Sequence, residues 1–124
     1  MPPPTKQAAS LPDVTPPIEM DARDWCEVRR ILQEKVPHLE VWAFGSRARR
    51  TAKPYSDLDL AMITEQPLSL AQLADLNDAF DSSDLPIRVD VVDWAATSDA
   101  FRHIIAQDKV VVQTRSGTDT KKIE

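Results

Sequence analysis

The chain has 124 residues, of which 42% are hydrophobic and 28% charged, and these proportions predict one domain with a modest core. The net charge of −5 argues against a general nucleic-acid coat, which needs a basic surplus, and a single cysteine excludes an intrachain disulfide. No apolar run approaches the roughly 20 residues that span a bilayer, so we expect a soluble, cytoplasmic protein with no membrane partner.

The two ends of the chain differ in composition from its centre. The first 19 residues are rich in proline and lack apolar periodicity, which predicts a disordered leader over residues 1–19. We expect the folded domain over residues 20–113 and a flexible polar tail over residues 114–124. Cys26 lies inside the first helical pattern of this domain, where we expect a buried structural thiol rather than a nucleophile.

Helical and strand periodicities alternate through the predicted domain. In chain order they predict a helix (21–36), a strand (39–44), a short helix (46–51), a strand (57–63), a helix (69–80), a strand (87–94), a helix from residue 97 or 98, and a strand (109–113). Asp21 or Asp24 can cap the first helix, and Ser69 can cap the helix over residues 69–80. Because helices and strands alternate, we expect an α/β fold with helices covering a small sheet.

Two aspartates on the second predicted strand are the first candidate site residues. Asp57 and Asp59 are separated by one residue, so both side chains project from the same face of the strand. Two unpaired carboxylates about 7 Å apart repel each other unless water or a cation compensates, and Mg²⁺ prefers such oxygen ligands. The alternative is an exposed edge strand that carries two solvated aspartates.

A glycine and a serine lie where the first strand ends and the short helix begins. Gly45 allows the backbone to approach a ligand closely. Ser46 lies where the first turn of a helix leaves N–H groups free for a phosphate, and its hydroxyl adds another donor. Taken alone, the Gly-Ser pair indicates only a turn. Followed by a carboxylate pair on the next strand, it indicates a site for a metal ion and a nucleotide.

The third predicted strand carries another aspartate between valines. Asp90 is unusual there, because burying an unpaired carboxylate is costly. If this strand lies beside the second strand, Asp90 can join Asp57 and Asp59. Asp93 has the opposite parity along the strand, so we expect it to end the strand or cap the turn that follows.

Two arginines of the short helix have two interpretations each. Arg47 and Arg49 either contact phosphates or an acidic partner surface, or they are solvated residues of the helix. We include Arg47 with Gly45 and Ser46 among the candidate nucleotide-binding residues.

These residues together resemble the minimal nucleotidyltransferases of the polymerase-beta-like superfamily. The resemblance rests on Gly45-Ser46, ten intervening residues, Asp57-x-Asp59 and the later Asp90, and it covers residues 20–112. It implies the nucleotidyltransferase fold, a short mixed β-sheet flanked by helices. One departure is Arg50, which stands near a place where family members often carry glycine.

The resemblance also implies an activity. The family transfers a nucleoside monophosphate from a nucleoside triphosphate to a hydroxyl, with two Mg²⁺ ions and ATP as the expected substrate. Gly45 and Ser46 would hold the triphosphate, Asp57 and Asp59 would ligate both ions, and Asp90 would ligate the catalytic ion and help to deprotonate the acceptor. The catalytic and metal residues would thus be Asp57, Asp59 and Asp90.

Short stand-alone members of this family resemble antitoxins that pair with a helical HEPN toxin. Similar proteins neutralise that partner by adenylylating a tyrosine, as in type VII toxin-antitoxin pairs, so we expect a protein acceptor on another chain. Two alternatives stay open: an antitoxin that neutralises its partner by binding alone, and a nucleotidyltransferase that acts on a small molecule.

Overall fold

The structure is a computed structural model that describes residues 15–115, and it contains the predicted alternation of helices and strands. The helices are α1 (Ala22–Lys35), α2 (Ser46–Arg49), α3 (Leu70–Asp81) and α4 (Asp99–Asp108), with a 3-10 turn over Trp94–Ala96. The strands are β1 (Glu40–Phe44), β2 (Leu58–Ile63), β3 (Val89–Asp93) and β4 (Val110–Gln113). Hydrophobic periodicity therefore located the elements correctly, with small shifts at their ends.

The four strands form one mixed sheet in the order β3-β2-β1-β4. β1 is antiparallel to both β2 and β4, whereas β2 and β3 are parallel. Two parallel neighbours need a crossover connection, and α3 provides it between β2 and β3. The predicted α/β fold with a short mixed sheet is confirmed.

Polar side chains fix where the three longer helices begin. Asp21 caps α1 by accepting a hydrogen bond of 2.9 Å from the Arg23 amide. Ser69 forms a reciprocal capping box with Gln72 at α3, and Ser98 accepts from the Phe101 amide at α4. Each cap satisfies N–H groups that the first turn of a helix leaves free.

The two faces of the sheet carry apolar clusters of different size. The larger cluster packs α1 and α3 against the even-numbered side chains of β2, which are Leu58, Leu60 and Met62. The smaller cluster lies on the opposite face and includes Phe44, Ala61 and Ile105. Because side chains alternate along a strand, Asp59 shares the face of Ala61, the smaller cluster and α4. The candidate site residues therefore occupy the less heavily covered face.

The folded part of the chain begins before the predicted boundary at residue 20. Ile18 is buried in the larger cluster, and the Glu19 amide donates a hydrogen bond of 2.9 Å to the Arg47 carbonyl. An apolar side chain that is buried in this way stabilises the fold, so Ile18 and Glu19 belong to the folded part of the chain. The rest of the predicted leader, residues 1–14, and the tail from residue 116 lie outside the described residues.

The expectation of a buried Cys26 is wrong, because this side chain is exposed. The buried stripe of α1 consists of Trp25, Val28, Ile31 and Leu32, and Cys26 projects away from that stripe. Within residues 15–115, no helix is both long and apolar enough to cross a bilayer.

Candidate active site

The turn after β1 brings Gly45 against the first carboxylate of the site. Gly45 has φ +78° and ψ −159°, a conformation that side-chain-bearing residues rarely adopt. A Cβ atom at this position would overlap the carboxylate of Asp59. Glycine is therefore required here for two reasons, which are its backbone conformation and the closeness of Asp59.

The same turn leaves hydrogen-bond donors unused. The Ala48 and Arg49 amides both donate to the Gly45 carbonyl, at 3.1 and 3.0 Å. Within residues 15–115, the amides of Ser46 and Arg47 make no such hydrogen bond, and no side chain caps α2. Two free N–H groups and the Ser46 hydroxyl therefore lie beside Asp59, where they can bind phosphate oxygens.

Strand register brings the three predicted aspartates onto one face. Asp59 of β2 lies directly beside Asp90 in the parallel β2–β3 pair and opposite Phe44 in the antiparallel β1–β2 pair. Asp57 precedes β2 and has the same parity as Asp59. The sequence-based expectation that Asp90 joins Asp57 and Asp59 agrees with this register.

The electrostatics of this face are unfavourable without a cation. The pKa of Asp59 is raised to about 6, chiefly by partial burial and then by the charges of Asp90 and Asp57, whereas the charge of Arg49 opposes the rise. At neutral pH the Asp59 carboxyl is therefore ionised at a cost. Among residues 15–115, the carboxylates of Asp57 and Asp90 have no hydrogen-bond or ion-pair partner in the structure, and both residues are exposed.

This donor set fits a hard divalent cation. Its oxygen atoms are anionic, available and repelled by one another, which is the situation that Mg²⁺ relieves. Within the described part of the chain, no three acidic, histidine or cysteine side chains already converge on one point. The aspartates therefore share a face without forming a closed cage among the described residues.

The structure corrects the expected role of Arg47. Only 7% of its surface is exposed, and its guanidinium donates to the backbone carbonyls of Glu19, Lys53, Pro54 and Ser56. This side chain is therefore neither solvated nor directed at a phosphate, whereas the backbone amide of Arg47 stays a candidate nucleotide donor. The side-chain donors are already occupied by Glu19 and by the loop that precedes Asp57.

Arg49 has a different environment. Its side chain is about half exposed and forms an ion pair of 3.3 Å with Asp108 of α4. Its charge also lowers the pKa of Asp59, against the larger effects that raise it. Arg49 is therefore a cation that lies within electrostatic reach of the carboxylates and is held by a surface ion pair that is weak in water.

Arg50, the departure from the family pattern, adopts a left-handed conformation with φ +63° and ψ +40°. Arg50 is the C-cap residue that follows α2, and its amide donates to the Ser46 carbonyl. Glycine is favoured at such a position because it has no Cβ atom. The expectation that Arg50 bears on loop geometry therefore has a specific physical basis.

Asp93 lies at the end of β3, as expected, but its carboxylate does not cap the following turn. It accepts hydrogen bonds from the Thr64 hydroxyl at 2.6 Å and from the Leu68 amide at 2.7 Å. These bonds join β3 to the β2–α3 connection. Asp93 is therefore a structural residue and stays separate from the carboxylate face.

Sequence reasoning missed the contribution of Glu19. Its carbonyl accepts from Arg47 at 2.9 Å, and its carboxylate accepts from the Ala52 amide at 3.0 Å. A signal was present, because Ile18 and Met20 interrupt the proline-rich composition with apolar residues at a spacing of two.

Comparison with known proteins identifies a matching family and a similar chain. A model of the family described as Polymerase beta, Nucleotidyltransferase matches residues 27–117. A curated relative from Haemophilus influenzae, named Probable protein adenylyltransferase MntA, is 48% identical over 104 residues. The alignment covers 84% of this chain and 91% of that relative.

Solved structures share the same fold. A crystal structure of a toxin-antitoxin with AMP-PNP matches with a TM-score of 0.63 and 22% identity, over 77% of each chain. A structure of tri-AMPylated Shewanella oneidensis HEPN toxin in complex with MNT antitoxin matches with a TM-score of 0.58 and 18% identity, over 82% of this chain and 78% of that chain. At these identities the likeness concerns the fold, which agrees with the nucleotidyltransferase fold expected from the sequence.

Proposed function

The chain belongs to the Polymerase beta nucleotidyltransferase family, and on that premise we propose that it transfers AMP from ATP to a hydroxyl group of a partner protein. Family membership makes it a nucleotidyltransferase with a nucleotide substrate. The identity of that nucleotide as ATP, and of the acceptor as a protein, is supported by the relative named protein adenylyltransferase.

The observation that carries this proposal is the junction between the Gly45 turn and the carboxylate face. The free amides of Ser46 and Arg47 and the Ser46 hydroxyl lie next to Asp59, which lies beside Asp90. Phosphate donors and anionic metal ligands on adjoining elements are what a triphosphate bound with Mg²⁺ requires. A solvated edge strand would require neither phosphate donors nor metal ligands.

The residues of this site have distinct roles in the proposed reaction. Gly45 keeps the backbone close to Asp59, and Ser46 binds the triphosphate of ATP. Asp57, Asp59 and Asp90 would hold two Mg²⁺ ions, which when bound neutralise charge on the phosphates during an in-line displacement. Arg49, held only by its ion pair with Asp108, supplies a further positive charge beside the triphosphate.

The acceptor hydroxyl loses its proton during the reaction, so a base is required to accept it. Asp90 is exposed and without a partner among residues 15–115, so its carboxylate is available to accept that proton. The hydroxyl oxygen then forms a bond to the α-phosphorus, the bond to the leaving oxygen breaks, and pyrophosphate departs. The product is an AMP diester of the acceptor.

The surface around this site suits a protein acceptor. Phe101 of α4 packs on Phe44 with ring centroids 5.9 Å apart, and it is partly exposed next to exposed Ile104. Tyr55, two residues before Asp57, is 87% exposed. Exposed apolar and aromatic side chains of this kind are typical of protein contact surfaces.

We propose a HEPN-type helical toxin as the partner and one of its tyrosines as the acceptor, so that the chain acts as the antitoxin. The support is the fold shared with the MNT antitoxin that is bound to a tri-AMPylated HEPN toxin, together with the relative named MntA. The reaction would then neutralise the toxin by covalent modification.

The test is transfer of label from α-labelled ATP to a purified HEPN-type protein encoded beside this chain, in the presence of Mg²⁺. We expect a partner that carries label at tyrosine, and no label when EDTA is added. A partner that binds the chain but acquires no label would overturn the proposed activity.

A further inference from the structure

The Arg47 side chain makes more hydrogen bonds than any other side chain among residues 15–115. Its Nε donates to the Ser56 carbonyl at 3.1 Å, and its Nη1 donates to the Glu19 carbonyl at 2.9 Å. Its Nη2 donates to the carbonyls of Ser56, Pro54 and Lys53 at 3.0, 3.2 and 3.4 Å. All three guanidinium nitrogens therefore point at backbone carbonyls.

A buried arginine of this kind is costly without compensation. Taking a charge out of water disfavours the folded state unless hydrogen bonds or an opposite charge replace the lost hydration. Among residues 15–115, Arg47 forms no ion pair with a carboxylate. Carbonyl dipoles from two separate segments, together with the nearby charge of Asp24, therefore provide the compensation, and the carbonyl contacts specify where those segments lie.

The two segments that Arg47 joins are both next to the candidate site. One is residues 53–56, which lead directly into Asp57. The other is Glu19, whose amide donates back to the Arg47 carbonyl and whose carboxylate accepts from the Ala52 amide. Arg47 itself directly follows Ser46, so one side chain connects the phosphate-binding turn to the approach of Asp57.

We infer that Arg47 is a positioning residue, whose buried guanidinium fixes Asp57 relative to Gly45 and Ser46. Its side chain acts through the backbone of residues 53–56 and touches neither phosphate nor metal, whereas the Arg47 amide belongs to the phosphate-binding turn. Lysine cannot replace it, because one ammonium group cannot reach carbonyls on two segments in the way that a planar guanidinium does. The inference rests on the proposed function only in that the site binds ATP with Mg²⁺.

The test compares Arg47→Lys with a matched control, Arg102→Lys. Arg102 of α4 also donates two hydrogen bonds to a backbone carbonyl, that of Trp94 at 3.0 and 2.8 Å, but its contacts with Trp94 and Asp99 do not involve the turn. Both variants are expected to lower the melting temperature. Only Arg47→Lys is expected to weaken binding of ATP with Mg²⁺, by roughly ten-fold in calorimetric titration at a temperature where both are folded.

Measurement in the Asp57→Ala background distinguishes a positioning role of Arg47 from direct contact with phosphate. If Arg47 acts through Asp57, then Arg47→Lys weakens ATP binding in the native chain but has no further effect in the Asp57→Ala background, while its effect on melting temperature persists. Equal losses of affinity in both backgrounds would overturn the inference in favour of direct phosphate contact. Unchanged affinity in the native background would overturn it in favour of a purely structural role.

A replacement variant and a control on the native chain make the outcome interpretable. If Arg47→Lys does not fold, Glu19→Ala loosens the other end of the same loop by removing the acceptor of the Ala52 amide, and it is expected to weaken ATP binding by a smaller factor. Unchanged ATP affinity in Glu19→Ala would then overturn the inference. Failure of the native chain to bind ATP with Mg²⁺ would instead overturn the proposed function itself.

Discussion

Gly45 and Asp59 approach each other so closely that a Cβ atom on the glycine would overlap the carboxylate of the aspartate. This contact joins the end of β1 to the second residue of β2, across the register pair Phe44–Asp59. It places the phosphate-binding turn and a candidate metal ligand in direct contact. The structure thus links the two halves of the motif physically, and the link can be tested by substitution.

Gly45→Ala is expected to lower the free energy of unfolding by about 2–4 kcal/mol, because the new side chain meets both an unfavourable φ and the Asp59 carboxylate. Urea unfolding measures this loss. In the Asp59→Ala background the same substitution should cost about 1 kcal/mol less, since one of its two causes is removed. Full additivity of the two substitutions would show that the contact with Asp59 has no energetic role.

Asp59→Asn is expected to stabilise the chain above pH 6 in the absence of Mg²⁺. The folded pKa of Asp59 is raised from 3.8 to about 6, so native Asp59 loses stability as pH rises through this window. The amide avoids that loss, which we put at about 1 kcal/mol after allowing for solvent screening of a partly exposed group.

Denaturant unfolding at pH 3.5 and pH 8, on both the native chain and Asp59→Asn, measures this pH dependence. The native chain and the variant should differ least in stability at the lower pH, where Asp59 is protonated in the folded state and mostly protonated in the unfolded state. A variant that is less stable than the native chain at pH 8 would contradict the electrostatic description of this face.

Arg50→Gly is expected to raise the free energy of unfolding by about 0.5–1 kcal/mol, because glycine adopts the left-handed conformation of this residue without strain. The control is Arg29→Gly, the same chemical change at an exposed position inside α1. That change should lower the stability by about 1 kcal/mol. Thermal unfolding of both variants is sufficient, and a loss of stability in Arg50→Gly would contradict the prediction.

The two aspartates of β3 should respond oppositely to alanine substitution. Asp93→Ala removes the acceptor of the Thr64 hydroxyl and the Leu68 amide, so it is expected to cost about 1–3 kcal/mol of stability. Asp90→Ala removes an exposed, repelled carboxylate and should leave stability unchanged or slightly higher. Only the latter should abolish AMP transfer at temperatures where both variants are folded, and the reverse assignment would contradict the separation of their roles.

The sequence predicted the elements and most of the carboxylate face because both depend on short-range periodicity. Alternation along a strand is enough to place Asp57 and Asp59 on one side. The step to Asp90 needed the assumption that two strands are neighbours, and the crossover helix α3 made that assumption reasonable.

The role of Arg47 could not be predicted in this way. Its partners are backbone carbonyls of residues 19 and 53–56, which carry no side-chain signature and meet only in the folded chain. An arginine next to a phosphate-binding serine is therefore read as a phosphate ligand. The burial of Cys26 was predicted wrongly for a different reason. Cys26 falls within the helical pattern but outside the stripe that packs against the sheet.

The central claim is that the carboxylate face performs chemistry on a protein acceptor, and AMP transfer to the HEPN-type partner tests it most directly. The native chain should label the partner with ATP and Mg²⁺, whereas Asp57→Ala and Asp59→Ala should lower the rate at least ~1,000-fold while remaining folded and bound to the partner. Toxin neutralisation should fail in the same two variants. Neutralisation that survives in both, with no label on the partner, would contradict catalysis and leave binding alone as the mechanism.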